Sequence, residues 1–413
     1  MLSRLPEEIQ LEIFMKLPAN SILICRCVCK FWYSLLCNPK FVNNHLIQTI
    51  QTRKPRFILS RTHLWLSKNP IVYSIDYASV LSSLSLSIST SLSLSISVVY
   101  DDCDFDGALR LDYPFEYKKI RSFNVLGSCN GLICLSIADG CGNPLDNSIC
   151  IWNPTTREYK EISLPQYPLV EEEYSYQIRY GFGHDSEIDD YKVVRISGSE
   201  NSPDCFSMKV YTLGLDSWNC IDNPSSYSFL PFTNTCGLLF HGALHWIGKA
   251  SSKVIVAFKI SSERLLDVPL PEVIMVPPEN GEELDIHVGV LGDCLCLAVL
   301  VRDIRSDVWV MQEYGVRESW TKQFTITQDQ LSIRWDMYKF KPIWSFENGE
   351  ILINTHTDLI LYDKVSGRVR KVYFPDTALR GNLDILPKNI ESYVVSLVPL
   401  KSGTYVEKIF LHT

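Results

Sequence analysis

The chain has 413 residues, 46% hydrophobic and 21% charged, a composition that excludes a wholly disordered or collagen-like protein. Its 39 lysines and arginines against 47 acids leave a net charge of −8, the wrong sign for a protein that binds nucleic acid by neutralising phosphates. The longest apolar stretch, Cys294 to Val301, is far shorter than the ~20 residues a helix needs to cross a bilayer, so no membrane span is expected.

Glu7 and Glu8 stand where a signal peptide needs a basic flank and an apolar run, so export is not expected. Fourteen cysteines are scattered with no C-x-x-C pair, and no N-x-S/T sequon survives the exclusion of proline at its middle position. Both features predict free thiols in a reducing compartment, cytoplasmic, nuclear or both. Charge is unevenly spread: residues 1–56 carry eight Lys and Arg against three acids, while residues 57–413 carry 31 against 44. Two modules with different tasks follow from that asymmetry.

Leu5-Pro6-Glu7-Glu8 predicts a helix start, with proline at the first helical position and two carboxylates at the positive end of the dipole. Ile9, Ile13 and Leu17 then fall on one face. Pro18 ends that helix, and Asn20 or Ser21 caps a second through Ile22, Leu23 and Ile24. A third helix is expected from Val28 to Leu36. Of the first 46 residues, 26 are apolar, more than so short a helical segment can enclose, so part of that surface must face a partner.

Leu5-Pro6, Leu17-Pro18, the run R-C-V-C-K-F-W from Arg26 to Trp32, and Phe41 together resemble an F-box. The resemblance implies a module of three helices that docks on a Skp-type adaptor and, through it, on a cullin and a ubiquitin-conjugating enzyme. It assigns Leu5, Pro6, Ile9, Leu17, Pro18, Leu23, Val28, Lys30 and Trp32 to adaptor contact or to shaping that face. The other reading, for any one of them, is membership of the small internal core. The module is placed at residues 1–48, with a linker at 49–56.

From residue 57 the periodicity changes to short alternating strands separated by turn dipeptides. Asn130-Gly131, His241-Gly242, Gly292-Asp293 and Asn348-Gly349 each precede an apolar strand, at intervals of 111, 51 and 56 residues, the first interval holding two repeats. Five strand–turn–strand units follow the same plan: CIWNPTTREYKEI, KVYTLGLDSWNCI, VAFKISSERLLDV, VWVMQEYGVRESWTKQF and LILYDKVSGRVRKV. A sixth is read in Arg56-Phe57-Ile58-Leu59 and Val72-Tyr73-Ser74-Ile75. A period near 50 residues with four strands per unit predicts an all-β, kelch-like propeller over 57–413, of six blades with five as the alternative.

The Ser/Leu alternation from Ser83 to Ser97 would make a strand of roughly 50 Å, too long for a blade, and is read as an insertion at about 80–98, with a partner-binding edge strand as the alternative. The C-terminal segments YVVSLVPL and YVEKIFL are expected to pair with the first blade and close the ring.

WNPTTREYKEISLP from Trp152, YGFGHDSEIDDYKVVRIS from Tyr180 and VWVMQEYGVRESWTKQFTI from Val308 resemble the F-box-associated domain of plant F-box proteins, especially the S-locus F-box-like group. Two departures are His241-Gly242, where that family commonly has Asn-Gly, and the Ser/Leu insertion. The two resemblances together imply the substrate-recognition subunit of a Skp–cullin–F-box ubiquitin ligase, a non-enzymatic receptor whose propeller presents a target protein for degradation.

Gly181-Phe182-Gly183 lacks the third glycine and the following helix of a dinucleotide loop. Asp102, Asp104, Asp106 and Gly107 match half an EF-hand loop, but Tyr113 stands where the bidentate acid belongs. His241 and His245 on an extended strand are ~13 Å apart, and Cys25, Cys27 and Cys29 alternate around a helical stretch, so neither set converges on a metal. No cofactor is expected. Trp152, Trp218, Trp246 and Trp320 recur in the repeats and are read as packing between blades, with a substrate-binding aromatic as the alternative. The acidic stretches Glu171-Glu172-Glu173 and Glu279 to Asp285 fall between repeats, where they would steer a basic target. A propeller-fold enzyme, marked by clustered acids in the channel, and a glycan-binding lectin-like module, marked by an exposed aromatic pair there, are the alternatives to the receptor.

Overall fold

The structure, a computed structural model, describes residues 5–52, 55–63, 70–80, 108–114, 120–139, 148–165, 176–199, 202–221, 227–229, 236–250, 252–275, 284–301, 304–327, 330, 340–355, 359–372 and 385–400. The Ser/Leu stretch, the Asp102–Asp106 motif, Glu171-Glu172-Glu173, Glu279 and the YVEKIFL segment lie outside them.

Helices α1 (Glu7–Met15), α2 (Ala19–Arg26), α3 (Lys30–Leu36) and α4 (Pro39–Gln51) open the chain. Pro6 and Pro18 occupy the capping positions of α1 and α2, and their carbonyls accept from Gln10 N at 3.1 Å and Ile22 N at 3.2 Å. Proline serves there because an amide at a helix start has no intrahelical partner. Asn20 and Ser21 therefore sit inside the first turn of α2 and do not cap it. The third helix begins at Lys30, two residues later than expected, because Cys29 is extended and its sulfur accepts from Trp32 N at 3.5 Å. A fourth helix follows the three read from the sequence. Asn38 Oδ1 accepts from Lys40 N at 2.9 Å, Pro39 starts the helix, and Phe41, Val42, His45 and Leu46 are buried along one side. The segment 49–56 thus contains the last turn of α4 and, at Arg56, the first residue of a strand.

Among the described residues, twenty-five strands form six sheets. The first blade holds β1 (Arg56–His63), β2 (Ile71–Asp76) and β3 (Ala108–Arg110). The second holds β4 (Ile120–Cys129), β5 (Leu132–Asp139), β6 (Ser148–Trp152) and β7 (Tyr159–Ile162), and the third β8 (Tyr176–Asp185), β9 (Asp190–Ser199), β10 (Ser202–Thr212) and β11 (Ser217–Ile221). In the fourth, two short pieces, β12 (Ser228–Phe229) and β13 (Leu238–Phe240), both pair with β14 (Ala243–Lys249), followed by β15 (Lys253–Lys259) and β16 (Arg264–Val268). The fifth is β17 (Asp285–Leu291), β18 (Cys294–Val301), β19 (Arg305–Met311) and β20 (Trp320–Thr327), and the sixth β21 (Phe340–Ser345), β22 (Glu350–Thr355), β23 (Leu359–Asp363) and β24 (Val369–Lys371).

The ring is closed by β25 (Ile385–Tyr393), which becomes the innermost strand of the first blade by pairing antiparallel with β1 from Arg56↔Tyr393 to His63↔Ile385. This corrects one expectation. Of YVVSLVPL only Tyr393 belongs to the closing strand, and residues 394–400 leave the ring as extended chain outside any sheet.

The second strands of the blades read as almost continuous apolar runs, as in β14 and β18, because each sheet packs against a neighbour on both faces. The buried side chains accordingly group by blade pairs. Ile58 and Val72 join Phe123 and Trp152 between blades one and two, Val194 and Met208 join Trp246 and Phe258 between three and four, and Leu352 and Leu361 join Phe57 and Ile75 between six and one. Two hairpin turns require left-handed backbone at both central residues: Asn130-Gly131 (φ 54° and 83°) and His241-Gly242 (φ 46° and 71°). His241 thus adopts the left-handed backbone that its hairpin demands.

Candidate functional site

The helical module buries one side of its apolar surplus and exposes another. In α1 the buried side chains are Gln10 and Phe14, not the Ile9–Ile13–Leu17 stripe. Gln10 links two distant points: its Nε2 donates to Leu5 O at 2.8 Å, and its Oε1 accepts from Trp32 Nε1 at 2.8 Å. Trp32 also meets the Phe14 ring edge-on, 5.0 Å between centroids. Arg26 Nη2 donates to Leu36 O at 2.9 Å, tying α2 to the end of α3.

The nine residues singled out from the sequence separate into two groups. Leu17, Leu23 and Trp32 are partly buried and pack against the core that contains Phe14, Ile22 and Leu36. Leu5, Pro6, Ile9, Pro18, Val28 and Lys30 are exposed. Three exposed side chains were not foreseen: Ile24 at 71%, Phe31 at 50% and Tyr33 at 59% accessibility join Val28 at 61% and Ile9 at 42%. The total of 26 apolar residues in 46 signalled that such a surface had to exist. Which residues formed it could not be read, because both faces of each helix carry apolar side chains.

Cys27 and Cys29 lie exposed between α2 and α3, and Cys27 Sγ donates to Leu23 O at 3.5 Å. Among the described residues no group of three His, Cys, Asp or Glu side chains is placed to hold a metal ion.

In the propeller the recurrent tryptophans join blades. Trp152 and Trp246 are 1% exposed. Trp218 Nε1 donates to Ser163 O, and Trp320 Nε1 to Pro269 O, each at 2.8 Å and each reaching back to the end of the preceding blade. Tyr113, at the last position of the half-matched calcium loop, is 2% exposed and packs against Phe123, facing core. His245 is 1% exposed, with Nδ1 3.2 Å from Leu238 O and Nε2 2.6 Å from Tyr314 Oη. A carbonyl only accepts, so Nδ1 carries the proton and Nε2 accepts from the phenol, which leaves neither nitrogen for a metal. Burial pushes the His245 pKa down to about 4, so the ring is neutral near pH 7.

Charged groups in the ring are paired across blades. Lys192 Nζ lies 2.8 Å from Asp185 and 2.7 Å from Glu263 of the fourth blade. Burial opposes the Asp185 charge, but Lys192 and two backbone amides outweigh it and hold the carboxyl below its ordinary range. On the inner strands, Lys341 Nζ meets Glu391 at 2.9 Å, joining the sixth blade to the first.

A helical module with exposed apolar side chains is followed by a six-bladed ring closed by its own C-terminal strand. Residues 2–44 match the F-box domain family, and residues 85–393 match the F-box associated beta propeller domain family. F-box protein CPR1 of Arabidopsis thaliana is 30% identical over 398 residues, covering 91% of this chain and 86% of its own. An F-box/kelch-repeat protein of the same plant is 26% identical, covering 88% and 89%. Among solved structures, the SapL1 lectin bound to alpha methyl fucoside aligns at a TM-score of 0.38 and 9% identity over 77% of this chain and 97% of that one, too distant to bear on function. The chain belongs to the plant F-box proteins that carry an F-box-associated β-propeller.

Proposed function

We propose that this protein is the substrate-recognition subunit of a Skp–cullin–F-box ubiquitin ligase: the helices dock on a Skp-type adaptor and the propeller holds a target protein within reach of ubiquitin transfer. The observation that carries the reading is the exposed apolar surface of Ile9, Ile24, Val28, Phe31 and Tyr33 on a module whose inner side is already packed. Pro6, Pro18 and Lys30 are exposed on the same module, while Leu17, Leu23 and Trp32 pack against its core. The protein contributes proximity, and the bond chemistry belongs to its partners. No helix among the described residues is long and apolar enough to cross a membrane.

The excess of 44 acids over 31 bases in residues 57–413 favours a basic target, attracted at low salt and released as screening shortens to roughly 10 Å at 0.1 M. The experiment is capture of the full chain's partners with the proteasome blocked, beside the half-life of each captured protein in cells carrying the wild type or the Ile24→Asp/Val28→Asp variant. The variant should capture the same targets and leave them long-lived. Equal turnover under both forms would refute the receptor reading, and salt-independent capture would remove the electrostatic part alone.

A further inference from the structure

The apolar surplus of the helices is covered in part from within the chain. After Tyr393, residues 394–400 run across the second blade outside any sheet, yet Ser396 and Leu400 are fully buried and Leu397 is 1% exposed. One continuous buried cluster contains Phe14, Ile22 and Phe41 of the helices, Leu397 and Leu400 of this segment, and Leu132 of the second blade.

The segment is held by specific contacts from the second blade. Asn153, 0% exposed, directly follows β6, and its Nδ2 donates to Ser396 O at 3.2 Å and Val398 O at 2.8 Å. Its Oδ1 accepts from Thr155 N at 2.9 Å and Thr156 N at 3.3 Å, so the same side chain builds the β6–β7 turn and grips the segment. Glu158 Oε2 accepts from Leu400 N at 3.1 Å. At Gly131 a β-carbon would lie 2.3 Å from Ser396 Oγ, so the backbone of the neighbouring turn must be bare for the segment to pass.

We infer that residues 394–400 are an intramolecular strap that locks the helical module onto the second blade in one orientation, with Asn153 as its latch. The strap's carbonyls find their donors on the blade, while its apolar side chains complete the cluster that includes the helices, so strap, helices and second blade order together. Under the receptor reading, and resting on it, the strap also sets the spacing between bound target and adaptor.

The test is amide hydrogen exchange on the full chain carrying Asn153→Asp. Aspartate keeps the acceptor for Thr155 and Thr156, so the turn survives, but it sets an oxygen against two carbonyl oxygens where the amide donated. Exchange should accelerate about tenfold or more in α1–α4 and in the strap, with blades four to six at wild-type rates. Glu158→Ala, which removes the acceptor for Leu400 N, should give the same pattern at smaller amplitude. Acceleration confined to the strap, with the helices unchanged in both variants, would overturn the lock. So would uniform acceleration through all blades, since Asn153 would then serve the ring as a whole. The Ile24→Asp/Val28→Asp variant should show wild-type exchange throughout, so failure of the adaptor reading is separable from failure of the strap.

Discussion

Trp32 Nε1 donates to Gln10 Oε1 across 2.8 Å, joining the third helix to the first through a polar side chain that is 4% exposed. Gln10 in turn holds Leu5 O, so one amide fixes the chain start and α3 relative to each other.

Gln10→Leu should therefore destabilise the helical module by about 1–3 kcal/mol, because it strands the Trp32 indole N–H and the Leu5 carbonyl together. Trp32→Phe removes the same bond from the other side. Urea unfolding of the single and double variants should show the double costing clearly less than the sum of the singles. Strict additivity would mean that the bond contributes nothing.

The inter-blade indole bonds should differ in worth. Trp320 is 7% exposed, so Trp320→Phe leaves Pro269 O short of a partner where water enters poorly, and should cost about 1–3 kcal/mol. Trp218 is more accessible, water can replace its bond to Ser163 O, and Trp218→Phe should cost under about 1 kcal/mol. Chemical denaturation of both variants decides the order.

His245 predicts an acid-sensitive component of stability. Its pKa falls from 6.5 to about 4 on folding, so between those values the unfolded chain binds the proton more readily than the folded one. The contribution is fully present above about pH 6.5 and is lost as pH falls toward 4, a loss of about 3 kcal/mol at completion. His245→Gln should flatten the stability profile between pH 7 and pH 5, above the range where Asp185 and the other depressed carboxylates titrate. An unchanged slope in the variant would assign the acid sensitivity elsewhere.

The propeller was legible because its signals are local. Asn130-Gly131 and Gly292-Asp293 force hairpins wherever they stand, and the strands beside them are apolar enough to be seen without knowing their neighbours. Closure of the ring onto the first blade was expected, but not the strand that makes it, because Pro387, Lys388 and Asn389 interrupt its alternation and its partner β1 lies more than 300 residues away. The exposed apolar surface of the helices was legible in amount and not in detail. Ile9 and Ile13 form the apolar stripe a helical wheel selects, yet α1 buries Gln10 and Phe14, since Trp32 offers the glutamine a partner inside. Helix α4 shows the same limit: Phe41, Val42, His45 and Leu46 are buried, and His45 Nε2 lies 2.9 Å from Leu17 O, a contact with a residue 28 positions earlier.

The most direct measurement is the affinity of the purified full chain for a purified Skp-type adaptor, compared with the Ile24→Asp/Val28→Asp variant by calorimetry. Both side chains are exposed, so the substitutions leave the buried core intact and the unfolding free energy within about 1 kcal/mol of wild type. Each places a charge in what would become a desolvated interface, and together they should weaken binding by about a hundredfold or more. Tight wild-type binding that collapses in a folded variant is the predicted result; no wild-type binding, or equal binding by both proteins, would contradict the account.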